Sequence, residues 1–328
     1  VVLSADPAST QALHGVEACP RGPADVWKAL TNARLLISGG GSLVQDVTSV
    51  RSALYYLGTM LTASLRGVPV VVVGQGIGPI RRRWVRRVAA AVFNRVQAIS
   101  VRDRETVRTL ASLGVRVPVH QGADLALLAP AAPPERGRTL LAACGISAEA
   151  GILAVAIRPW PHLQRVADLG AAIKQFAVRR GLQIIVLPFD RQRDQVVSAT
   201  LAAGTGGRVV ETASPADLLA VVGCTHLVLG VRLHSLVFAA AQSVPAVGLA
   251  YDPKVQAFAE DAGLPDVLPS NASPGAVQDA LEQVWAQRAA VQARLRVVMP
   301  QLRRLAAAGI QSVLRVLEPM PGEELGGA

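Results

Sequence analysis

Short runs of β-branched residues alternate along this chain with longer stretches of Ala, Leu and Arg, and that alternation restricts the fold more than any other feature. A short apolar run followed by a longer segment of helical periodicity is a βα unit. Repeats of that unit build parallel sheets with helices on their faces. In the first half the strand candidates are Val1–Ser4, Leu35–Ser38, Val68–Gly74, Ala98–Val101 and Val117–His120. Helical candidates between them are Pro23–Thr31, Ser49–Arg66, Arg81–Arg95 and Arg104–Leu113. Gly67 and Gly114 stand where helix C-caps belong. In the second half the strands are Leu153–Arg158, Leu182–Pro188, Val209–Glu211, Leu227–Gly230 and Ala246–Leu249. The helices there are Val166–Arg179, Pro215–Val222, Leu233–Gln242, Val255–Ala262 and Pro274–Ala307, the last kinked or broken at Pro300.

A chain of 328 residues exceeds one ordinary core. The Pro-rich stretch Pro130–Arg138 reads as a linker. The expected organisation is therefore α/β: two Rossmann-like domains facing a cleft, residues 1–135 and 136–317, followed by a flexible Pro/Gly/Glu-rich tail, 318–328. Ligands of such sheets sit at the carboxyl ends of the strands.

Other classes are set aside quickly. Cys19, Cys144 and Cys224 are odd in number and widely spaced, which supports neither a disulfide framework nor a metal site, and a reducing cytoplasm is the default. No apolar run is long enough to cross a bilayer. The opening VVLSADP lacks the basic region and cleavage pattern of a signal peptide. The net charge of +10 suits nucleic acid, anionic lipid or a phosphorylated substrate. An Arg-Ala-Val bias also follows from a GC-rich genome, so charge alone names no partner. Interleaved aromatics and a recognised nucleic-acid motif are both missing, so nucleic acid is not an expected partner.

Five segments carry chemistry. After the strand LLIS comes Gly39–Gly40–Gly41–Ser42, continuing to Gln45 and Asp46. Glycines at a strand's carboxyl end let backbone amides approach a ligand, and one turn needs fewer than three. After VPVVVV comes Gly74–Gln75–Gly76–Ile77–Gly78–Pro79, a poor dinucleotide fingerprint because Pro79 follows the third glycine. It reads as a substrate-facing loop in which Gln75 and Gly76 meet a sugar or phosphate. In Ser100–Val101–Arg102–Asp103, Arg102 offers a planar fork for carboxylate or phosphate, while Asp103 suits a helix cap. In Gly230–Val231–Arg232–Leu233–His234, an anion-holding Arg232 precedes a histidine suited to acid–base work at a strand end. The remaining histidines, His14, His120, His162 and His226, read as structural. Lys254, in Tyr251–Asp252–Pro253–Lys254, lies one βα unit further on at the same sheet edge.

Taken in order, GGGSLVQD, GQGIGP, ISVRDRE, VAIRPW, GVRLHSLVFAA and YDPKV resemble the polysaccharide pyruvyltransferase family, CsaB type, from about Leu35 to Phe258. The resemblance implies a GT-B-like fold, phosphoenolpyruvate as donor substrate with no cofactor, and a wall-polymer sugar as acceptor, polyprenyl-linked N-acetylmannosamine being the family's suggestion. By the same resemblance His234 is the catalytic position and Arg102, Arg232 and Lys254 bind the donor. Gly40, Gly41, Ser42, Gln45, Asp46, Gln75 and Gly76 fall on substrate loops. Members of that family begin with a further βα unit holding a Gly/Asn-rich loop, and this chain opens at what resembles the second strand. A lipid-linked acceptor implies a cytoplasmic protein at the inner face of the membrane. The basic runs Arg81–Arg87 and Arg294–Arg304 then either contact anionic lipid or are ordinary solvated helix faces, and the sequence favours the second. The competing reading is a nucleotide-sugar glycosyltransferase on the same fold, whose donor asks for a ribose-binding carboxylate where this chain offers cations.

Overall fold

The computed structural model describes residues 1–47, 49–147, 149–159 and 166–317, which form two units. Unit 1 comprises Val1–Leu125 with Arg304–Ala328, and unit 2 comprises Ala126–Arg303. Every strand pairing is parallel.

Unit 1 opens with β1 (Val2–Ser4), α1 (Pro7–His14), β2 (Ala18–Pro20) and α2 (Pro23–Thr31), in which β1 and β2 pair as a two-stranded sheet. It continues with β3 (Leu36–Ser38), α3 (Val50–Leu65), β4 (Val70–Gln75), α4 (Arg83–Phe93), β5 (Ala98–Val101), α5 (Arg104–Leu113) and β6 (Val119–Gln121), whose strands form a sheet in the order β3-β4-β5-β6. β4 is buried at all its residues, as its unbroken valine run requires of a central parallel strand. Val70 and Val72 face the core closed by Leu57, Met60, Val85, Ala89 and Leu110 of α3, α4 and α5. Val71 and Val73 face the other way, against Ala98, Leu125 and Val316.

A register shift falls between Val73 and Gln75. Gly74 makes it feasible. Its φ is +62°, and a β-carbon there would lie 2.4 Å from Leu125 Cγ. A larger residue would be strained by conformation and would collide with the core.

Unit 2 contains a 3-10 turn (Leu125–Leu128 at its junction with unit 1), α6 (Pro134–Ala143), β7 (Gly151–Ala156), α7 (Val166–Arg180), β8 (Leu182–Val186), α8 (Arg191–Thr205), β9 (Arg208–Val209), α9 (Pro215–Gly223), β10 (Leu227–Gly230), α10 (Leu233–Ala241), β11 (Ala246–Ala250), α11 (Pro253–Ala262), β12 (Asp266–Pro269) and α12 (Pro274–Ala286). The strand order is β12-β11-β10-β7-β8-β9. The chain therefore proceeds one way from β7 through β8 and β9, and the other way from β10 through β11 and β12. The reversal lies between β7 and β10, the topological switch point of the sheet. Side chains of α7, α8 and α12, including Ile173, Phe176, Leu201 and Leu281, close one core over β7 and β10.

Three expectations are corrected. The linker Pro130–Arg138 is largely α6, which starts with Pro134 at its first turn and packs on α9 so closely that a β-carbon on Gly137 would lie 2.5 Å from the Ala220 carbonyl oxygen. The units divide at Leu125, not at 135, and the chain returns to unit 1 through α13 (Arg288–Leu317). The last helical stretch breaks at Gln287, the C-cap of α12, and α13 runs through Pro300. Leu295, Met299 and Ala306 are buried on either side of that proline, and their packing outweighs a defect of about 3 kcal/mol. The tail 318–328 and His162 lie outside the described residues.

Candidate functional site

In unit 1 the two glycine loops are laced together. Gly41 bridges Gln75, Gly76 N donates to Gly41 O (2.8 Å), Gly78 N to Val44 O (2.9 Å), and Asp46 N to Pro79 O (3.2 Å). Asp46 completes the seam: its carboxylate accepts the Arg81 and Arg82 amides, each at 2.8 Å. Burial alone would raise the Asp46 pKa. The two amide hydrogen bonds and the nearby Arg82 and Arg81 charges outweigh it and hold the carboxyl below its ordinary value.

Arg102 lies flat against this seam. A β-carbon on Gly76 would lie 2.6 Å from Arg102 Nη2, so Gly76 is what admits the guanidinium. Arg102 Nε donates to Asp103 Oδ2 (3.2 Å), Nη1 to Asp124 Oδ2 (3.3 Å) and Nη2 to Ser42 Oγ (2.9 Å). Asp103 also caps α5 through the Thr106 amide (2.7 Å). The substrate-loop residues of the sequence reading are thus brought together, with Gln45 beside them accepting the Val47 amide (3.2 Å). Gln75 is fully buried: its amide nitrogen donates to Ser38 O and Oγ, and its Oε1 has no hydrogen-bond partner among the described residues. Arg102 is 7% exposed and already holds two carboxylates, so it fastens the loops.

In unit 2 the residues after β7, β10 and β11 gather at one sheet edge. α8, α9, α11 and α12 are capped by Asp190, Ser214, Asp252 and Ser273. α10 is not: its N-cap is Arg232, without a side-chain cap, and Ser235 Oγ turns back to Arg232 O (2.5 Å). The Ser235 amide also donates to Arg232 O (3.0 Å), so this helix start carries its positive dipole end with no side-chain carboxylate or hydroxyl capping it. His234 stands exposed in that turn, its ring edge-on to Phe238 with centroids 6.5 Å apart.

Arg232 differs from the sequence expectation. Its Nε and Nη2 donate to the two oxygens of Asp194 at 2.7 and 2.5 Å, and Asp194 is completely buried in α8. Two of its guanidinium nitrogens are thus engaged by a buried carboxylate, two residues before His234. Lys254 Nζ is 3.0 Å from Asp252 Oδ2 and 5.9 Å from the Tyr251 ring centroid.

The sequence reading missed Arg158, two residues past β7. Its guanidinium stacks on the Tyr251 ring at 4.7 Å, and Nη1 donates to Tyr251 Oη at 2.9 Å. Because β10 separates β7 from β11, this contact crosses the end of the strand that leads to His234. The signal was present: Val101–Arg102, Ile157–Arg158 and Val231–Arg232 repeat an apolar-Arg pair just past a strand. Asp194 was missed because the polar opening of α8 does not read as buried. His226 is structural as expected, its Nδ1 accepting the Ile152 amide (3.2 Å). A concavity of about 530 Å³ bordered by Cys224, His226 and Arg288 lies at the opposite edge of this sheet. The carboxyl edge is where open parallel sheets bind ligands.

The family model described as polysaccharide pyruvyl transferase matches residues 1–253. The amylovoran biosynthesis protein AmsJ of Erwinia amylovora is 24% identical over 232 residues, 63% of this chain and 55% of that protein. The chain thus spans about half the length of that curated relative. Among solved structures, S. aureus MnaA with UDP has a TM-score of 0.64 at 12% identity, covering 91% of this chain and 82% of that one. A putative UDP-N-acetylglucosamine 2-epimerase of Listeria monocytogenes has 0.62 at 12%, covering 91% and 81%. The Neisseria meningitidis UDP-GlcNAc 2-epimerase bound to UDP-GlcNAc has 0.61 at 11%, covering 88% and 80%. At such identities the likeness shows the fold alone: α/β, with parallel sheets, GT-B-like.

Proposed function

Because the chain belongs to the polysaccharide pyruvyl transferase family, we propose that it takes a pyruvyl group from phosphoenolpyruvate and sets it as a ketal on a wall-polymer sugar, in the manner of the CsaB type. The proposed acceptor is polyprenyl-linked N-acetylmannosamine, presented at the cytoplasmic face of the membrane. No cofactor or metal takes part in this scheme.

The observation that carries the reading is the edge formed by Arg158, the uncapped start of α10, His234 and Lys254. Phosphoenolpyruvate has a phosphate and a carboxylate, and cations beside the positive end of a helix dipole are what such an anion needs. Arg158 and Lys254 bind the donor. His234 protonates the methylene carbon, an acceptor hydroxyl adds at C2, phosphate leaves, and a second hydroxyl closes the ketal. The protons lost by the two hydroxyls balance the one given to carbon and the one leaving with phosphate. Arg232 and Arg102 act by positioning, since carboxylates fill both forks. Acid–base help of this kind contributes about a hundred- to ten-thousandfold.

The test is incubation with phosphoenolpyruvate and a lipid-linked amino-sugar disaccharide, followed by mass spectrometry. Formation of a pyruvyl ketal with release of phosphate is expected. Consumption of a UDP-sugar with no reaction of phosphoenolpyruvate would establish the glycosyltransferase reading instead.

A further inference from the structure

Between Asp46 and Asp103 the chain carries nine arginines and not one Asp or Glu. That interval holds the whole of α3 and α4. Solvated helix faces normally intersperse both signs of charge. A run of charge of one sign suits an external partner of the other sign.

The structure shows where this charge is presented. α4 begins just beyond the carboxyl edge of the unit 1 sheet, and its inner face, with Val85, Ala89, Val92 and Phe93, is buried. Outward lie Arg81, Arg83 and Arg87, with Trp84 among them 48% exposed. Arg82 and Arg86 differ from these: Arg82 donates to Asp46 O (3.1 Å) and Arg86 to Ser112 O (3.0 Å), so both also hold the fold together. Val47, next to Asp46, is 49% exposed, and Leu54 on the neighbouring α3 is 37% exposed. The Asp46 carboxylate grips the Arg81 and Arg82 amides, so the start of this face is fixed to the Gly41–Gln75 seam.

A half-exposed tryptophan among fixed arginines has an apolar body and a polar, cationic rim. That combination matches the headgroup region of an anionic bilayer, where indole rings and arginine stems are accommodated together. Nucleic acid satisfies the charge but offers less to Val47 and the exposed indole of Trp84. We propose that the outer face of α4, with Trp84 on it and Val47 beside its start, docks unit 1 on an anionic lipid surface. Docking there sets the glycine loops, at the same sheet edge, beside the membrane. The proposal does not rest on pyruvyl transfer, because vesicle binding is measured without substrate.

The test is sedimentation of the full chain with vesicles of phosphatidylcholine alone, or of phosphatidylcholine with phosphatidylglycerol, at low and high salt. Binding to the anionic vesicles only, weakened by salt, is expected. Arg81→Glu/Arg83→Glu/Arg87→Glu should weaken it on the order of a hundredfold or more. Glutamate at position 83 favours the helix start, whereas glutamate at 81 removes a charge that stabilises Asp46, so a melting curve first establishes that the variant is folded. Trp84→Ala should bind less tightly at unchanged salt dependence. Brominated lipid should quench parent fluorescence more than that of Trp84→Phe. Three results would overturn the proposal: no sedimentation of the parent with anionic vesicles, unchanged binding by a folded triple variant, or tight binding to duplex DNA with none to vesicles.

Discussion

Asp194→Asn isolates the ion pair that orients the turn before His234. Asp194 is fully buried, gives both oxygens to Arg232 and accepts the Asp190 amide at 2.9 Å. Removing one partner of a buried pair costs about 3–5 kcal/mol, because the other charge stays behind. Arg232 has a side chain 19% exposed and keeps Asp190 at 3.9 Å, which places the cost near the low end, about 3 kcal/mol. That corresponds to roughly a 150-fold change in the opening equilibrium. Amide hydrogen exchange in the buried strands β7 and β10 reads it directly, since these amides exchange through opening of the core. Exchange there should accelerate by about two decades. Asp194→Leu with Arg232→Met, which removes both charges, should recover most of the protection. Protection within threefold of the parent in Asp194→Asn would refute the argument, and Arg232 would again be available as a ligand.

Three further outcomes are expected. His234→Gln should keep phosphoenolpyruvate affinity by calorimetry and lose most of its turnover, since glutamine retains hydrogen bonding without acid–base function; near-normal turnover removes His234 from the chemistry. Arg158→Ala should weaken donor binding about ten- to a hundredfold, from loss of a charged hydrogen bond of roughly 1.5–3 kcal/mol, and unaltered calorimetric affinity would place the donor elsewhere. Asp46→Asn should lower the melting temperature at neutral pH. The folded Asp46 pKa lies below its ordinary value, so its stabilisation is complete above about pH 4 and disappears as pH falls through the folded pKa. Melting curves of parent and variant should therefore converge in acid, and a constant gap would show that the carboxylate charge is not what stabilises the seam.

The alternation of runs made the strand ends readable, and with them most of the polar residues that gather there. Val70–Val73 and Leu227–Gly230 are unbroken apolar runs, and both are buried central strands. Pairing was less readable. Two arginines just past a strand look alike in sequence, yet Arg158 stacks on Tyr251 while Arg232 is held by Asp194, on a helix thirty-eight residues earlier whose opening reads as solvent-facing. Short elements escaped for a related reason. β2 and β12 begin in polar or Pro-bearing sequence, and only their neighbours make them strands. At Pro300 the local preference was correct in itself, but tertiary packing overrode it.

Both ends of the described chain belong to unit 1, and unit 2 is one uninterrupted stretch between them. During synthesis, therefore, the two units do not mature in the order in which they begin. β4 emerges early, yet the face of it formed by Val71 and Val73 meets Val316, from the far end of α13. At translation rates of about 5–20 residues per second, that face waits roughly 10–50 s for its cover. Unit 2 has all its residues before then. The nascent first unit thus spends its youth as a half-covered valine sheet, and the cover for that face comes from α13, which is made only after the strands and other helices of unit 2.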